Sequence, residues 1–498
     1  MTRISHRAAR RQATAIVAAV ISLALPLSAQ QQSGKAATKT SLDRTKIPAA
    51  GKPADLRVPT WTKTSLADGA QLVVSEKHDL PLISFTINFV GGAAQYEPAG
   101  KTGLGSIVGQ MLTEGTTHRT GDQISNDLQL LGTGVGAGVA SESGRLGFTS
   151  TTDKFEKALA IAADVLENPT FPQEALDRLK GRLNVQLLQN RDRTAGIAGV
   201  VFPKVLYTTS HPYGVSLTPE TLASITRDDV VSFYKSYFQP GHAIITVVGD
   251  ITPAAAKAAI DRELAGWHTG GSMPQFAYPS VTAPKATTIY LVDKPGAAQS
   301  TFAIGAPGPA RDTPDYYAIR VMNEMLGVLF QSRLNHNIRE VKGYSYGVFS
   351  NYAFGKGPGA FRAGGEIVTA KSDSALMEFM KELRDIRGPR PPSDDELKQA
   401  KASLVQSLPE NFASVGGING SIGTIYTQGL PENYYQQFAR AVNAVTTDDV
   451  VRVAKQYIDP EHLAIVIVGD RSKIEAPLAA TNIAPIVHLD LDGNPVDR

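Results

Sequence analysis

Two stretches of this chain are copies of one another, and that duplication limits the possible folds more than any other feature. Residues 224–250, SITRDDVVSFYKSYFQPGHAIITVVGD, align without a gap on residues 444–470, AVTTDDVVRVAKQYIDPEHLAIVIVGD. Thr226/Thr446, Asp228/Asp448, Asp229/Asp449, Tyr237/Tyr457, Pro240/Pro460, His242/His462 and Gly249/Gly469 are identical pairs. Each copy predicts the same local structure. A threonine N-cap with acid in the first turn opens a helix, and the proline closes it. AIITVVG or LAIVIVG then runs apolar at nearly every position, the pattern of a strand buried on both faces. A match of this length implies two copies of one domain of roughly 200 residues.

The copies are expected at 55–268 and 286–480. A Gly/Pro/Ser-rich linker joins them at 269–285, and a tail follows at 481–498. Within each copy, strand-like runs such as QLVVSEK and LISFTINFVGG alternate with longer helical patterns such as KFEKALAIAADVLEN. The expected fold class is α+β, with two tandem homologous domains, each a mostly antiparallel β-sheet covered by helices.

The first residues read as an address. MTRISHRAARR is basic without an acid, ATAIVAAVISLALPL is a short apolar run, and LSAQ offers cleavage after Ala29. The run is shorter than the roughly 20 residues that span a bilayer. A cleaved signal peptide at 1–29, a polar tether at 30–54, a periplasmic or secreted location and no membrane span after cleavage are therefore expected. Cleavage removes Arg3, Arg7, Arg10 and Arg11, which takes the formal charge from +2 to −2. No basic excess remains to neutralise phosphates, which argues against nucleic acid as a partner. The chain has no cysteine, so its stability must come from apolar cores.

GLGSIVGQMLTEGT, at 103–116, predicts a helix with Leu104, Ile107, Val108, Met111 and Leu112 on its buried stripe. Ser106, Gly109 and Gln110 fall on the other face. In SRLNHNIREVKGYSYGVFS, at 332–350, Leu334, Ile338 and Val341 predict a buried helix face, Gly343 its C-terminal cap, and YSYGVFS a strand. His336 and Glu340 stand at i, i+4, but two ligands do not make a zinc site, and a solvated helix face accounts for them. His78, His118, His211, His268 and His488 are scattered singly, and no G-x-S-x-G signature is present.

These stretches, together with LPLISFTINFVGGAAQYEPAGKTGLGSIVGQMLTEGT, VLENPTFPQEAL and HPYGVSLTPETL, resemble the pitrilysin/insulinase family of inverted zinc peptidases, in order and over nearly the whole mature chain. In active members the first helix carries H-x-x-E-H, two zinc-binding histidines and a general base, and a later glutamate completes the ligand set. The resemblance places Ser106, Gly109 and Gln110 at those helix positions and Gln186 near the later glutamate. None of these residues can do the original work. The resemblance also implies that Arg339 and Tyr346 bind the substrate carbonyl and steady the oxyanion. Some bacterial members split the two tasks between two chains. The expectation is a non-catalytic subunit of a heterodimeric peptidase. It would bind no cofactor itself, pair with a homologous zinc-bearing subunit, and act on unfolded or extended peptides. The alternative is an inactive structural or peptide-binding homologue; an active peptidase is the least favoured reading.

Overall fold

The computed structural model describes residues 56–268 and 273–496. The signal peptide and tether read from the sequence lie outside the described residues. Among these, no helix is long and apolar enough to cross a membrane.

Two six-stranded sheets repeat one plan. The first comprises β1 (Thr62–Ser65), β2 (Gln71–Glu76), β3 (Leu82–Val90), β4 (Gly136–Val139), β5 (Ser143–Thr151) and β6 (Ala243–Gly249), in the order β1-β2-β6-β3-β5-β4. The second comprises β7 (Thr288–Asp293), β8 (Gln299–Pro307), β9 (Ser345–Ala353), β10 (Ala360–Val368), β11 (Ala464–Gly469) and β12 (Ile486–Leu489), in the order β12-β7-β11-β8-β10-β9. Most neighbours are antiparallel. The parallel pairs are β2/β6, β7/β11 and β7/β12. The two apolar runs of the repeat, β6 and β11, each sit inside their sheet between a parallel and an antiparallel neighbour, which explains why they are apolar along their length. Helices Arg227–Tyr237 and Thr447–Tyr457 precede them. The Thr226 and Thr446 hydroxyls cap these helices, and the Asp229 and Asp449 carboxylates return the bond to the cap N–H.

Two features depart from the sequence reading. The tail contributes β12, which completes the second sheet at the edge where β1 completes the first. Each half also lends a helix to the other. Helix α1 (Thr194–Tyr207) packs on β8 and β11, with Ile197, Ala198, Val201 and Phe202 in one buried cluster with Ala303, Val466 and Val468. Gly305 leaves the space Phe202 fills, since a Cβ there would lie 2.9 Å from its ring. In return, helix α2 (Val415–Gln428) packs on β3 and β6.

Asn419 anchors that return crossing. Its amide donates to the Ser84 and Thr246 carbonyls at 2.9 and 3.0 Å, and its carbonyl accepts from the Thr246 hydroxyl at 2.7 Å, all buried. Asn419→Ala therefore strands buried polar groups on β3 and β6. We expect a loss of about 2–3 kcal/mol, read as a lower urea midpoint at unchanged m-value. A midpoint equal to that of the wild type would refute the anchoring role.

Candidate functional site

The helix Leu104–Met111 is held as its stripe predicts: Leu104, Ile107, Val108, Met111 and Leu112 are all fully buried. Gly103 enters it with φ of 93°, a left-handed turn that suits glycine. Its first free N–H groups find a partner that local spacing does not reveal. Glu97 reaches back across the loop and accepts from Gly103 and Gly105 N–H at 3.0 and 2.8 Å. Burial pushes the Glu97 carboxyl up, and these two bonds only partly oppose it.

On the outer face, Ser106 and Gln110 are exposed, and the Gln110 amide donates to the Ser106 carbonyl and hydroxyl, both at 3.3 Å. Gly109, between them, is buried. A Cβ at Gly109 would lie 2.6 Å from Gly138 Cα and 3.1 Å from Val139 N. The backbone of β4 has thus closed on the helix where the resemblance would place a glutamate. Gln186 is exposed on the helix Gln173–Arg191, which packs against the Leu104–Met111 helix. A hydroxyl, two amides and a glycine offer no imidazole, thiolate or carboxylate, so these four positions do not fit a zinc ion. Among the described residues, no cluster of three or more His, Cys, Asp or Glu side chains could hold a metal. Ser106 opens onto a cleft of about 570 Å³ bounded also by Glu97, Ser141, His211 and Phe276.

Two of the single histidines make local contacts. His211 is buried and accepts from Tyr213 N–H, and His118 Nδ1 lies 2.6 Å from the buried Asp164 carboxylate. The paired His242 and His462 differ in detail: the first is buried against the Tyr237 carbonyl, the second is exposed beside Asp459.

The Arg339 segment corrects one expectation. Leu334 and Ile338 are buried, but Val341 is 62% exposed. The chain is α-helical only over Arg333–Asn335 and turns as a π-helix over His336–Val341. The wider turn rotates Val341 off the face that a 3.6-residue period assigns to it. Gly343, at φ 66°, ends the turn as expected. Arg339 pairs with Glu340 at 3.1 Å, and its guanidinium lies 4.5 Å from the ring centre of the exposed Phe330. Tyr346 is 89% exposed. A β-bulge sets it there: Ser345 pairs with Ile367 and Val348 with Gly365, so Tyr346 and Gly347 face Glu366 alone. No hydrogen bond, ion pair or ring contact among the described residues joins Arg339 or Tyr346 to Ser106, Gly109, Gln110 or Gln186.

The fold and this site define a duplicated peptidase architecture whose metal helix keeps its packing and lacks its ligands. Residues 74–206 match the family described as Insulinase (Peptidase family M16), and residues 224–404 match the Peptidase M16 inactive domain. The chain belongs to the M16 peptidase family. A "Non-peptidase homolog YmxG" from Helicobacter pylori is 22% identical over 81% of this chain and 92% of its own length. A probable mitochondrial-processing peptidase subunit beta from Arabidopsis thaliana is 23% identical over 83% and 79%. Among solved structures, a peptidase M16 inactive domain from Pseudomonas fluorescens superposes with TM-score 0.75 at 26% identity, covering 82% of this chain and 98% of that one. The periplasmic protease PqqL from Escherichia coli superposes with TM-score 0.70 at 15% identity, covering 85% and 47%.

Proposed function

We propose that this chain is the non-catalytic subunit of an exported heterodimeric zinc peptidase, working on extended peptides beside a homologous subunit that carries H-x-x-E-H and its zinc. In this reading the chain binds no metal of its own. Arg339 and Tyr346 stabilise the oxyanion at the partner's metal, a task suited to a fixed cation and a phenol donor. The observation that carries the reading is Tyr346. A tyrosine 89% exposed at a bulge, its hydroxyl without a partner among the described residues, is available to another molecule. The periplasmic PqqL neighbour is in keeping with export.

A second reading, an inactive structural homologue, is favoured by the closure of β4 on Gly109 and by the non-peptidase naming of the Helicobacter relative. One experiment separates the two. Cleavage of an unfolded peptide is measured with this chain alone, with an H-x-x-E-H homologue alone, and with both. Activity is expected only in the mixture, and Tyr346→Phe is expected to lower it about 10²-fold. A mixture no more active than the zinc-bearing chain alone favours the structural reading; a fully active Tyr346→Phe mixture removes the role given to Tyr346.

A further inference from the structure

The second half holds a cleft of about 320 Å³ that includes neither the Leu104–Met111 helix nor the Arg339 segment. It opens between the turn after β8, the helix Tyr316–Asn323 and the helix Tyr434–Ala444. The Arg311 guanidinium sits over Tyr316, 3.4 Å from the ring centre, and lies 5.2 Å from the ring centre of Tyr434. Arg320, one turn along the helix, donates to the Tyr316 hydroxyl at 2.9 Å. Both arginines are half-buried, yet among the described residues neither has a carboxylate at ion-pair distance. Nearby arginines do: Arg333 pairs with Glu396 and Arg452 with Asp315.

The surrounding charges leave the cleft positive. Glu410 stands exposed at its rim. Glu324 lies buried near Arg320, outside ion-pair distance among the described residues; burial pushes its carboxyl up and Arg320 partly opposes this. Burial would raise the Tyr316 hydroxyl too, but Arg320 and Arg311 outweigh it and hold this phenol below its ordinary range. A guanidinium partly removed from water with no carboxylate at ion-pair distance is under-compensated. Among the described residues the Arg311 side chain has no hydrogen-bond or ion-pair partner, so its N–H groups are free for a planar, two-oxygen partner. The rest of the lining mixes apolar side chains, Leu408, Leu430 and Phe438, with the polar Ser407, Asn411 and Thr424.

We propose that this cleft binds an organic carboxylate, held by Arg311 and Arg320 beside the Tyr316 and Tyr434 rings, with an apolar group lying against Leu408 and Leu430. Two sources supply that chemistry: the C-terminal residue of a peptide, and a free branched-chain acid.

Calorimetric titration of the full chain tests this with four probes: a short peptide ending in leucine as the free acid, the same peptide as its C-terminal amide, isovalerate, and inorganic phosphate. The free acid is expected to bind saturably and at least about tenfold more tightly than the amide. Arg311→Gln and Arg320→Gln are each expected to weaken it about tenfold. If either variant melts early, the acid-to-amide ratio on the wild-type chain decides. Isovalerate binding as tightly as the peptide acid assigns the site to small acids; weaker isovalerate assigns it to peptide termini. Equal affinity for acid and amide, no binding of either carboxylate, or tighter binding of phosphate overturns the proposal. None of these readings depends on zinc or on a second subunit.

Discussion

The triple substitution S106H/G109E/Q110H, which rewrites the helix as H-x-x-E-H, is expected to yield a chain with no peptidase activity, destabilised by more than about 4 kcal/mol. The reason is Gly109. Ser106 and Gln110 are exposed, and among the described residues the substitutions break only the hydrogen bonds from the Gln110 amide to the Ser106 carbonyl and hydroxyl. The double substitution S106H/Q110H alone should stay within about 1 kcal/mol of wild type. At Gly109 any side chain drives a Cβ to 2.6 Å from the Gly138 backbone. The strand must move, because no flexible side chain is present to yield, and overpacking of this kind costs about 1–3 kcal/mol. A glutamate adds a carboxylate forced into a closed space, at several kcal/mol more. Even a chain that tolerated this would carry a neutral amide, Gln186, where the resemblance places the later glutamate. Urea unfolding and zinc content read the outcome. A triple variant as stable as wild type that loads zinc stoichiometrically would show that β4 is not closed against the helix.

Breaking the Arg333–Glu396 pair is expected to have a comparable effect. The Arg333 side chain is 3% exposed, and its fork meets both Glu396 oxygens, at 2.6 and 2.8 Å. Its remaining N–H groups donate to the Arg390 and Pro391 carbonyls. Glu396→Ala leaves that guanidinium buried without an anion, at a loss of about 3–5 kcal/mol. It also removes the N3 side of the Ser393 capping box. Arg333 begins the short helix that runs into the Arg339 turn, so loosening should centre there and show as faster amide exchange over 333–346. The pH dependence follows. Burial would raise Glu396, but Arg333 and Ser393 outweigh it and hold the carboxyl down at about 2. A depressed carboxylate contributes stability that is full above its ordinary value near 4.5 and is lost as pH falls toward 2. The wild type should therefore lose stability more steeply than Glu396→Ala across that window. Parallel acid curves would remove Glu396 from the account. R333M/E396M should recover part of the loss, because an apolar pair needs no counter-charge.

Much of the site was legible because it depends on periods and types. A 3.6-residue repeat puts Ser106 and Gln110 outside and Leu104, Ile107 and Met111 inside, whatever the neighbours are. A missing imidazole is visible wherever the helix lies. The caps at Thr226 and Thr446 are local for the same reason, since both partners lie within one turn. Val341 was misplaced because a π-turn shifts the period without a signal in residue type. Glu97 went unread because the loop between it and Gly103 must fold before the carboxylate meets the helix end. The exchanged helix α1 did carry a signal, being apolar on nearly every side in TAGIAGVVFPKVLY, as a helix between layers must be.

The sequence by itself determined the duplication, the α+β class, the buried stripe of the first helix and the absence of zinc ligands from it, because each follows from residue type and spacing within one element. Only the tertiary structure decided that β4 closes on the helix at Gly109, that the tail closes the second sheet, that a bulge turns Tyr346 outward, and that Arg311 and Arg320 share a cleft with no carboxylate at ion-pair distance among the described residues. Those are contacts between segments distant in sequence or shifts of register between strands, set by packing the whole chain at once and by no local rule.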